Sequence, residues 1–141
     1  MPRFPSREWC EQAIRLANAD PESALAGAGW VGDFGAVVDA EPGKLEKPFA
    51  MHCVPAGGRI TRFRVLADPD ELDEIEPVYF ARAPYSIWKA LLRGELDALQ
   101  AIARRQLEFR GDLEQLARRM KHKGIAERVL AGLDTQFVDE R

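Results

Sequence analysis

The sequence contains few of the residues on which several common classes of protein depend. Only two of its 141 residues are cysteines and only two are histidines. A disulfide-stabilised scaffold needs more cysteines, and catalysis that relies on histidine has little support. No run approaches the roughly 18 apolar residues of a membrane-spanning helix, and the N-terminal residues lack the apolar region of a secretion signal. We therefore expect a cytoplasmic protein.

Neither sign of charge dominates the sequence. Lysine and arginine total 20, aspartate and glutamate total 23, and the formal net charge is −3. This balance lacks the positive excess that bulk nucleic-acid binding requires, so no nucleic-acid partner is predicted. A length of 141 residues with 46% hydrophobic and 30% charged residues is typical of one globular domain, which we assign to residues 1–141.

The first half of the chain combines a helix with several strands. Ser6 is placed to cap a helix whose apolar stripe includes Trp9 and Leu16. After Gly27 the apolar residues recur at every second position, which is the period of a strand. The pattern predicts a strand over residues 29–40, a β-hairpin over residues 46–66 and a strand over residues 77–83.

The second half of the chain is mainly helical. One predicted helix carries Trp88 and ends at Gly94, a second carries Ile102, and a third begins at Asp112. A short strand is predicted between the last two of these helices, over residues 106–110. Because strands do not alternate with helices along the chain, the pattern favours an α+β fold over a parallel, doubly wound sheet.

Two motifs that suggest a cofactor or a metal do not fit their context. Residues 27–32, Gly-Ala-Gly-Trp-Val-Gly, match the dinucleotide-binding fingerprint, but that motif must follow a strand and open a helix. Here it follows a helix and enters a strand, so we assign its glycines to a turn. His52 and Cys53 are neighbours on a predicted strand and face opposite sides, which prevents them from sharing a metal. We predict no cofactor and no metal site.

Charge is distributed unevenly in two segments. Residues 68–76 contain six acidic and no basic residues, and we interpret them as a solvated loop rather than a cation site or an acid–base pair. Residues 104–123 contain seven basic and three acidic residues. This basic segment is either a solvated helix face or a surface for transient contact with anionic lipid headgroups.

Residues 83–97 resemble the sterol carrier protein type two family, in particular its bacterial, stand-alone members. They read Ala-Pro-Tyr-Ser-Ile-Trp-Lys-Ala-Leu-Leu-Arg-Gly-Glu-Leu-Asp. Family domains carry an aromatic residue, a serine or threonine, and then Trp-x-x-hydrophobic-hydrophobic-x-Gly-x-hydrophobic-Asp. The likeness continues through Gln106–Asp112, where the family has its last strand and a Gly-Asp before the closing helix. It spans about residues 6–125, more by pattern than by motif in the N-terminal half.

The resemblance implies a five-stranded, mostly antiparallel sheet covered by helices on one face, with an apolar cavity between the layers. It also implies non-catalytic binding, or transfer, of a hydrophobic lipid such as a fatty acid, a fatty acyl-CoA or a sterol. The core is expected over about residues 6–125, with a closing helix and tail over residues 126–141. The residues expected to line the cavity are Phe34, Val38, Phe80, Trp88, Leu92, Ile102, Leu116 and Met120; for each of them ordinary core packing is the alternative.

Two other functions remain open at this level. The same fold could serve as a ligand-free interaction module, with a homodimer as its simplest partner. An enzyme that acts on an acyl thioester through Ser86 has little support, because neither histidine lies at a recognised spacing from that serine. We therefore predict a protein without catalytic activity.

Overall fold

The computed structural model describes residues 1–140, in which a five-stranded sheet is the central element. The strands are β1 (Arg3–Phe4), β2 (Phe34–Asp39), β3 (Phe49–Ala56), β4 (Arg59–Leu66), β5 (Tyr79–Pro84), β6 (Glu108–Arg110) and β7 (Gln136–Phe137). The helices are α1 (Arg7–Ala19), α2 (Pro21–Gly27), α3 (Glu71–Ile75), α4 (Tyr85–Leu92), α5 (Ala98–Ala103), α6 (Leu113–Met120) and α7 (Lys123–Ala131).

The strand order of the central sheet is β4-β3-β2-β5-β6. Its neighbouring strands are antiparallel except β2 and β5, which run parallel and are joined by a crossover that contains the hairpin. The predicted α+β class and the five-stranded, mostly antiparallel sheet are therefore confirmed. The hairpin is also confirmed, because β3 and β4 lie within the predicted residues 46–66.

Successive residues of each strand face opposite sides of the sheet, and the two sides are covered differently. We call one the helix side, because the core clusters on it combine strand residues with residues of α1, α4, α5 and α7. The other is the α3 side, where Leu72 of α3 packs against Val37 and Phe80. The register places Phe34, Ala36 and Val38 on the helix side and their neighbours in sequence on the α3 side.

Local sequence signals account for most helix boundaries. The Ser6 side chain accepts a hydrogen bond from the Trp9 backbone N–H at 3.1 Å, as expected of the cap of α1. Asp112 accepts bonds from the first N–H groups of α6 in the same way. Gly94 follows α4 with φ of +72°, a conformation that glycine adopts without strain. These predictions from the sequence are confirmed.

The acidic segment 68–76 departs from expectation because part of it is helical. It contains α3, and Leu72 within it is buried against the sheet. The six acids of the segment suggest a loop. Leu72 and Ile75, however, lie one helical turn apart and both pack on the sheet, which is the pattern of a helix with one buried face. Strand β2 is also shorter than the predicted 29–40, since Gly32, with φ of +120°, lies outside the extended region.

The two ends of the chain pack together, and the core reaches beyond the predicted residues 6–125. Strands β1 and β7 pair in parallel. Phe4 and Leu133 are buried in the same cluster as Trp9, and Phe137 packs against it. A two-residue strand has too little periodicity to be recognised from sequence, which explains why this pairing was not predicted.

No helix in residues 1–140 is both long enough and apolar enough to cross a membrane.

Candidate functional site

The helix side of the sheet has two alanines at its centre. One row of paired residues crosses the whole sheet there, and its members are Val65, Met51, Ala36, Ala81 and Phe109. The two residues at its centre are alanines, so the helices above the central strands meet little side-chain volume from the sheet.

Both sides of the sheet have buried apolar residues, and on the helix side these include Val38, Ala81 and Ala83 at 5%, 3% and 2% exposed. Half-buried apolar residues are more numerous on the helix side. On the α3 side, Val37, Ala50 and Phe80 are only 0%, 1% and 4% exposed. On the helix side, several apolar residues of the strands and of the helices above them stay half-buried: Phe34, Ala36, Met51, Phe63, Val65, Trp88, Leu91, Leu92, Leu96, Leu99 and Ile102. These residues therefore keep part of their surface accessible although helices lie on this side of the sheet.

Five of the eight predicted site residues are assembled on the helix side. Val38 and Leu92 belong to one core cluster, and Phe34 and Ile102 belong to another. Trp88 joins both clusters, and its indole N–H donates to the Val37 carbonyl oxygen at 2.9 Å. Helix α4 is therefore fixed to the central strand at the point where the two clusters meet.

Phe80 is separated from the other predicted residues. It pairs with Gly35 on the α3 side and packs in the cluster that contains Leu72. The Arg110 guanidinium lies 4.2 Å from the centre of its ring. The sequence shows β5 to be apolar on both faces, which is why alternation did not reveal the direction of this side chain.

Leu116 and Met120 lie on α6, one helical turn apart. Helix α6 is tied to β5 and to the segment before β2 through Gln115, whose amide contacts the buried Tyr79 hydroxyl and donates to the Val31 carbonyl oxygen at 3.2 Å. Among residues 1–140, Leu116 and Met120 join none of the three packed apolar clusters. The same holds for Ala36, Met51 and Val65 on the sheet.

Arg119, one turn after Gln115 on α6, is a polar residue that sequence reasoning did not single out. Its Nη1 atom is buried and has no hydrogen-bond partner. Burial lowers the pKa of this guanidinium, and no neighbouring carboxylate offsets the effect. Its spacing in the sequence could have indicated this burial. Arg119 lies three residues after Leu116 and therefore on the same face of α6.

The C-terminal segment closes over α4 through ionic contacts. The Tyr85 hydroxyl donates to Asp139 Oδ1 at 2.6 Å, and Lys89 Nζ lies 3.0 Å from the same oxygen. Lys89 also pairs with Glu140. Burial by itself raises the pKa of Asp139, but its bonds with Tyr85 and Lys89 outweigh burial and hold that pKa below its usual range.

Two of the seven basic residues of segment 104–123 are set apart from the rest. Arg110 lies over Phe80 on the α3 side, and Arg119 is half-buried. Five others are exposed: Arg104, Arg105, Arg118, Lys121 and Lys123. Lys123 Nζ lies 3.7 Å from Asp97 Oδ1.

His52 and the two cysteines occupy structural positions. His52 Nε2 lies 2.7 Å from Asp33 Oδ2, and the other oxygen of that carboxylate accepts the Val78 backbone N–H. Cys10 and Cys53 are free and buried. Within residues 1–140 no three side chains of His, Cys, Asp or Glu group together as metal ligands would.

Two depressions are open at the surface, away from the predicted site. One of about 300 Å³ lies between α1 and the C-terminal segment, next to Leu16 and Leu133. The other, of about 230 Å³, lies between α2 and the start of α7, next to Leu25 and Ile125. None of the eight predicted residues lines either depression.

Comparisons with known proteins give structural relatives only. Protein-family profiles and curated proteins yield no match. Among solved structures, the chain is similar to a conserved hypothetical protein from Thermus thermophilus that has itself been related to sterol carrier protein, with a TM-score of 0.74 and 20% identity over 93% of this chain and 90% of that one. It is also similar to sterol carrier protein 2, with a TM-score of 0.70 and 22% identity over 88% and 94% of the two chains.

A third similarity concerns part of an enzyme. A double mutant of the sec-alkyl sulfatase PisA1 matches 84% of this chain with a TM-score of 0.56 and 18% identity, but the match covers only 16% of the sulfatase chain. The first two similarities show that the chain has the sterol carrier protein 2 fold, which confirms the resemblance seen in the sequence at the level of fold.

Proposed function

We propose that this protein binds a hydrophobic lipid, without catalysing a reaction, in an apolar space between the helix side of the sheet and helices α4, α5 and α6. The candidate ligands are a fatty acid, a fatty acyl-CoA and a sterol. The observation that carries the proposal is the contrast between the two sides of the sheet. Val37, Ala50 and Phe80 on the α3 side are buried, whereas many large apolar side chains of the strands and helices on the helix side stay half-buried.

Two apolar surfaces that join no packed cluster support the position of the ligand. One is the strip Ala36, Met51 and Val65 on the sheet, and the other is formed by Leu116 and Met120 on α6. Apolar clefts with few polar groups are the usual sites for small hydrophobic ligands. Of the predicted lining residues, Phe34, Val38, Trp88, Leu92, Ile102, Leu116 and Met120 stay in the proposal, and Phe80 does not.

The direct test is ligand binding by delipidated protein. We expect saturable, stoichiometric binding of a fluorescent fatty acid such as cis-parinaric acid, and recovery of lipid from native protein by mass spectrometry of organic extracts. Protein that yields no lipid and binds no probe would contradict the proposal.

A space-filling substitution separates a hollow from a packed core. In Ala36→Phe the new ring occupies the proposed space, so we expect loss of probe binding with little loss of thermal stability. The matched substitution on the tightly packed side is Ala50→Phe, which overpacks a filled site and should cost more than about 3 kcal/mol. Equal destabilisation by both substitutions would indicate that the helix side is packed as well.

Transient membrane contact is the second part of the proposal. The exposed bases of segment 104–123 supply positive charge that attracts anionic headgroups by about 1 kcal/mol each. We expect co-sedimentation with vesicles that contain phosphatidylserine, weakened by added salt, and none with phosphatidylcholine vesicles. Binding to both vesicle types alike would argue against an electrostatic contact.

The alternative function is a ligand-free interaction module that forms a homodimer, and one observation favours it. Val31, Val78 and Leu113 are 76%, 57% and 52% exposed near one end of the sheet, where Gln115 bonds to the Val31 backbone. Light scattering distinguishes the two functions. A dimer that is lost in the Val31→Ser variant, together with no ligand binding, would support an interaction module.

A further inference from the structure

Arg119 presents a charged group that the protein itself leaves unpaired. A guanidinium carries five N–H donors and stays charged at all ordinary pH values. Arg119 as a whole is half-buried, but a buried donor atom without a partner calls for an explanation such as an ion or ligand. The Nη1 atom of Arg119 is buried without a hydrogen bond, and within residues 1–140 Arg119 forms no ion pair.

The spacing of Arg119 along α6 puts it on the same face of the helix as two of the proposed lining residues. Gln115, one turn earlier on α6, contacts the buried Tyr79 hydroxyl, so this face of the helix is directed at the sheet. Side chains on a helix lean toward its N-terminus, which carries the Arg119 side chain over the turn that contains Leu116. Leu116 and Met120, the residues beside it on the inward face, are two of the proposed lining residues.

The part of the sheet on which α6 docks is aromatic. Helix α6 meets the sheet at Tyr79, whose ring lies 4.4 Å from the ring of Trp30 and 6.4 Å from that of Phe34. The acidic residues of the same segment lie elsewhere, because Asp112 caps the start of α6 and Glu114 is exposed. Desolvation of a cation without a counter-charge disfavours the ligand-free state and favours a ligand that brings an anion.

We propose that Arg119 binds the carboxylate of a fatty acid whose acyl chain lies between α6 and the helix side of the sheet. This inference rests on the proposed function and specifies it, since it selects an anionic lipid over a neutral one. A guanidinium and a carboxylate form charge-assisted hydrogen bonds that no neutral headgroup matches. The same bonds would satisfy the buried donor that lacks a partner in the protein.

The experiment compares an acid with a neutral ligand of the same chain length. Binding of palmitate and of 1-hexadecanol to delipidated full-length protein is measured by displacement of a fluorescent probe. The variants are Arg119→Met, which keeps an unbranched apolar stem and removes the charge, and Arg119→Lys, which keeps the charge and loses the planar fork. Arg7→Met is the control, because Arg7 is an exposed arginine on α1.

We expect Arg119→Met to weaken palmitate binding by about 10- to 100-fold, the range typical of losing hydrogen bonds to a charged group. Binding of 1-hexadecanol should be unchanged, Arg119→Lys should fall between the two, and Arg7→Met should match the wild type. Thermal melting gives an independent readout. Ligand-free Arg119→Met should melt no lower than the wild type, because it loses a desolvated charge, and palmitate should raise its melting temperature less.

Three results would overturn the inference, and they are distinguishable. Unchanged palmitate affinity in Arg119→Met, with wild-type protein that binds both ligands, would reject Arg119 as the anchor and leave the proposed function standing. An equal loss of both ligands would assign Arg119 a structural role. Wild-type protein that binds neither ligand would reject the proposed function and this inference together. Circular dichroism of each variant shows whether it is folded, and Arg119→Lys remains informative if Arg119→Met is not.

Discussion

The Tyr85 hydroxyl donates a hydrogen bond of 2.6 Å to Asp139 Oδ1, and this contact joins the first residue of α4 to the C-terminal segment. Tyr85 is fully buried, so its hydroxyl depends on a partner inside the protein. Lys89, one turn later on α4, donates to both oxygens of the same carboxylate. Asp139 therefore holds the C-terminal segment against α4, the helix that carries Trp88.

Removing this carboxylate should destabilise the protein in a way that depends on pH. The pKa of Asp139 is lower in the folded protein than the ordinary 3.8. A depressed pKa contributes stability above the ordinary value, and this contribution is lost as the pH falls through the folded value. We expect Asp139→Asn to lower the free energy of unfolding at pH 7 by about 2 kcal/mol, with a smaller difference from wild type below pH 3.8.

Urea unfolding at several pH values measures this effect. Asp134→Asn is the control, because Asp134 is an exposed aspartate in the same segment. Tyr85→Phe should cost less than Asp139→Asn, about 1 kcal/mol, since Lys89 still pairs with the carboxylate. A difference between wild type and Asp139→Asn that stays constant from pH 7 to the acid limit would show that the carboxylate has no special environment.

The fold was predictable from sequence where each element carried a local signal. Ser6, Asp112 and Gly94 mark helix ends by chemistry that acts within a few residues, and the hairpin has a clear period and turn. The pairing of β1 with β7 was not predictable, because it joins residues more than a hundred positions apart and involves only two residues on each side. Helix α3 was not predicted, because the six acids of its segment are typical of a loop and its only helical signal is the spacing of Leu72 and Ile75.

The candidate site was less predictable than the fold, and the reason is physical. Periodicity shows which residues face inward but does not distinguish a packed interior from a hollow one. Phe80 and Val38 both lie on buried strands and both looked like lining residues, yet the sheet register places them on opposite sides. Arg119 was grouped with solvated bases because its burial depends on the docking of α6 through Gln115.

The two cysteines should be unreactive in the folded protein. Burial raises the pKa of Cys10 to about 12, with a further contribution from nearby Cys53, and burial raises the pKa of Cys53 to about 11. Only about one Cys53 side chain in a thousand is then a thiolate at pH 8, and the thiolate is the reactive form. With Ellman's reagent at pH 8 we expect slow labelling of native protein and rapid labelling of both thiols in urea. A rapid burst from native protein would contradict the burial.

The two glycines of the β3–β4 turn should respond differently to alanine. Gly57 and Gly58 have φ values of +60° and +82°, so alanine is strained at both. A Cβ atom at Gly57 meets nothing within 4 Å, whereas one at Gly58 collides with the Ala24 backbone carbonyl in α2. We expect Gly57→Ala to cost about 1 kcal/mol and Gly58→Ala about 3 kcal/mol in the free energy of unfolding, measured by urea denaturation. Equal costs would mean that α2 does not rest on this turn.

Leu72 should be the residue of the acidic segment on which the α3 side depends. Its side chain is buried over Gly35 of β2, where an added Cβ atom would lie only 2.6 Å from Leu72 Cδ2. Leu72→Ala removes that contact and leaves a cavity, so we expect a loss of about 3 kcal/mol in the free energy of unfolding. Asp73→Ala, at the exposed next position, should change it by less than about 0.5 kcal/mol. If both variants unfold at the same urea concentration, α3 contributes nothing to the core. Because α3 lies on the side of the sheet opposite the proposed lipid site, ligand affinity should survive the Leu72→Ala substitution under conditions where the protein stays folded.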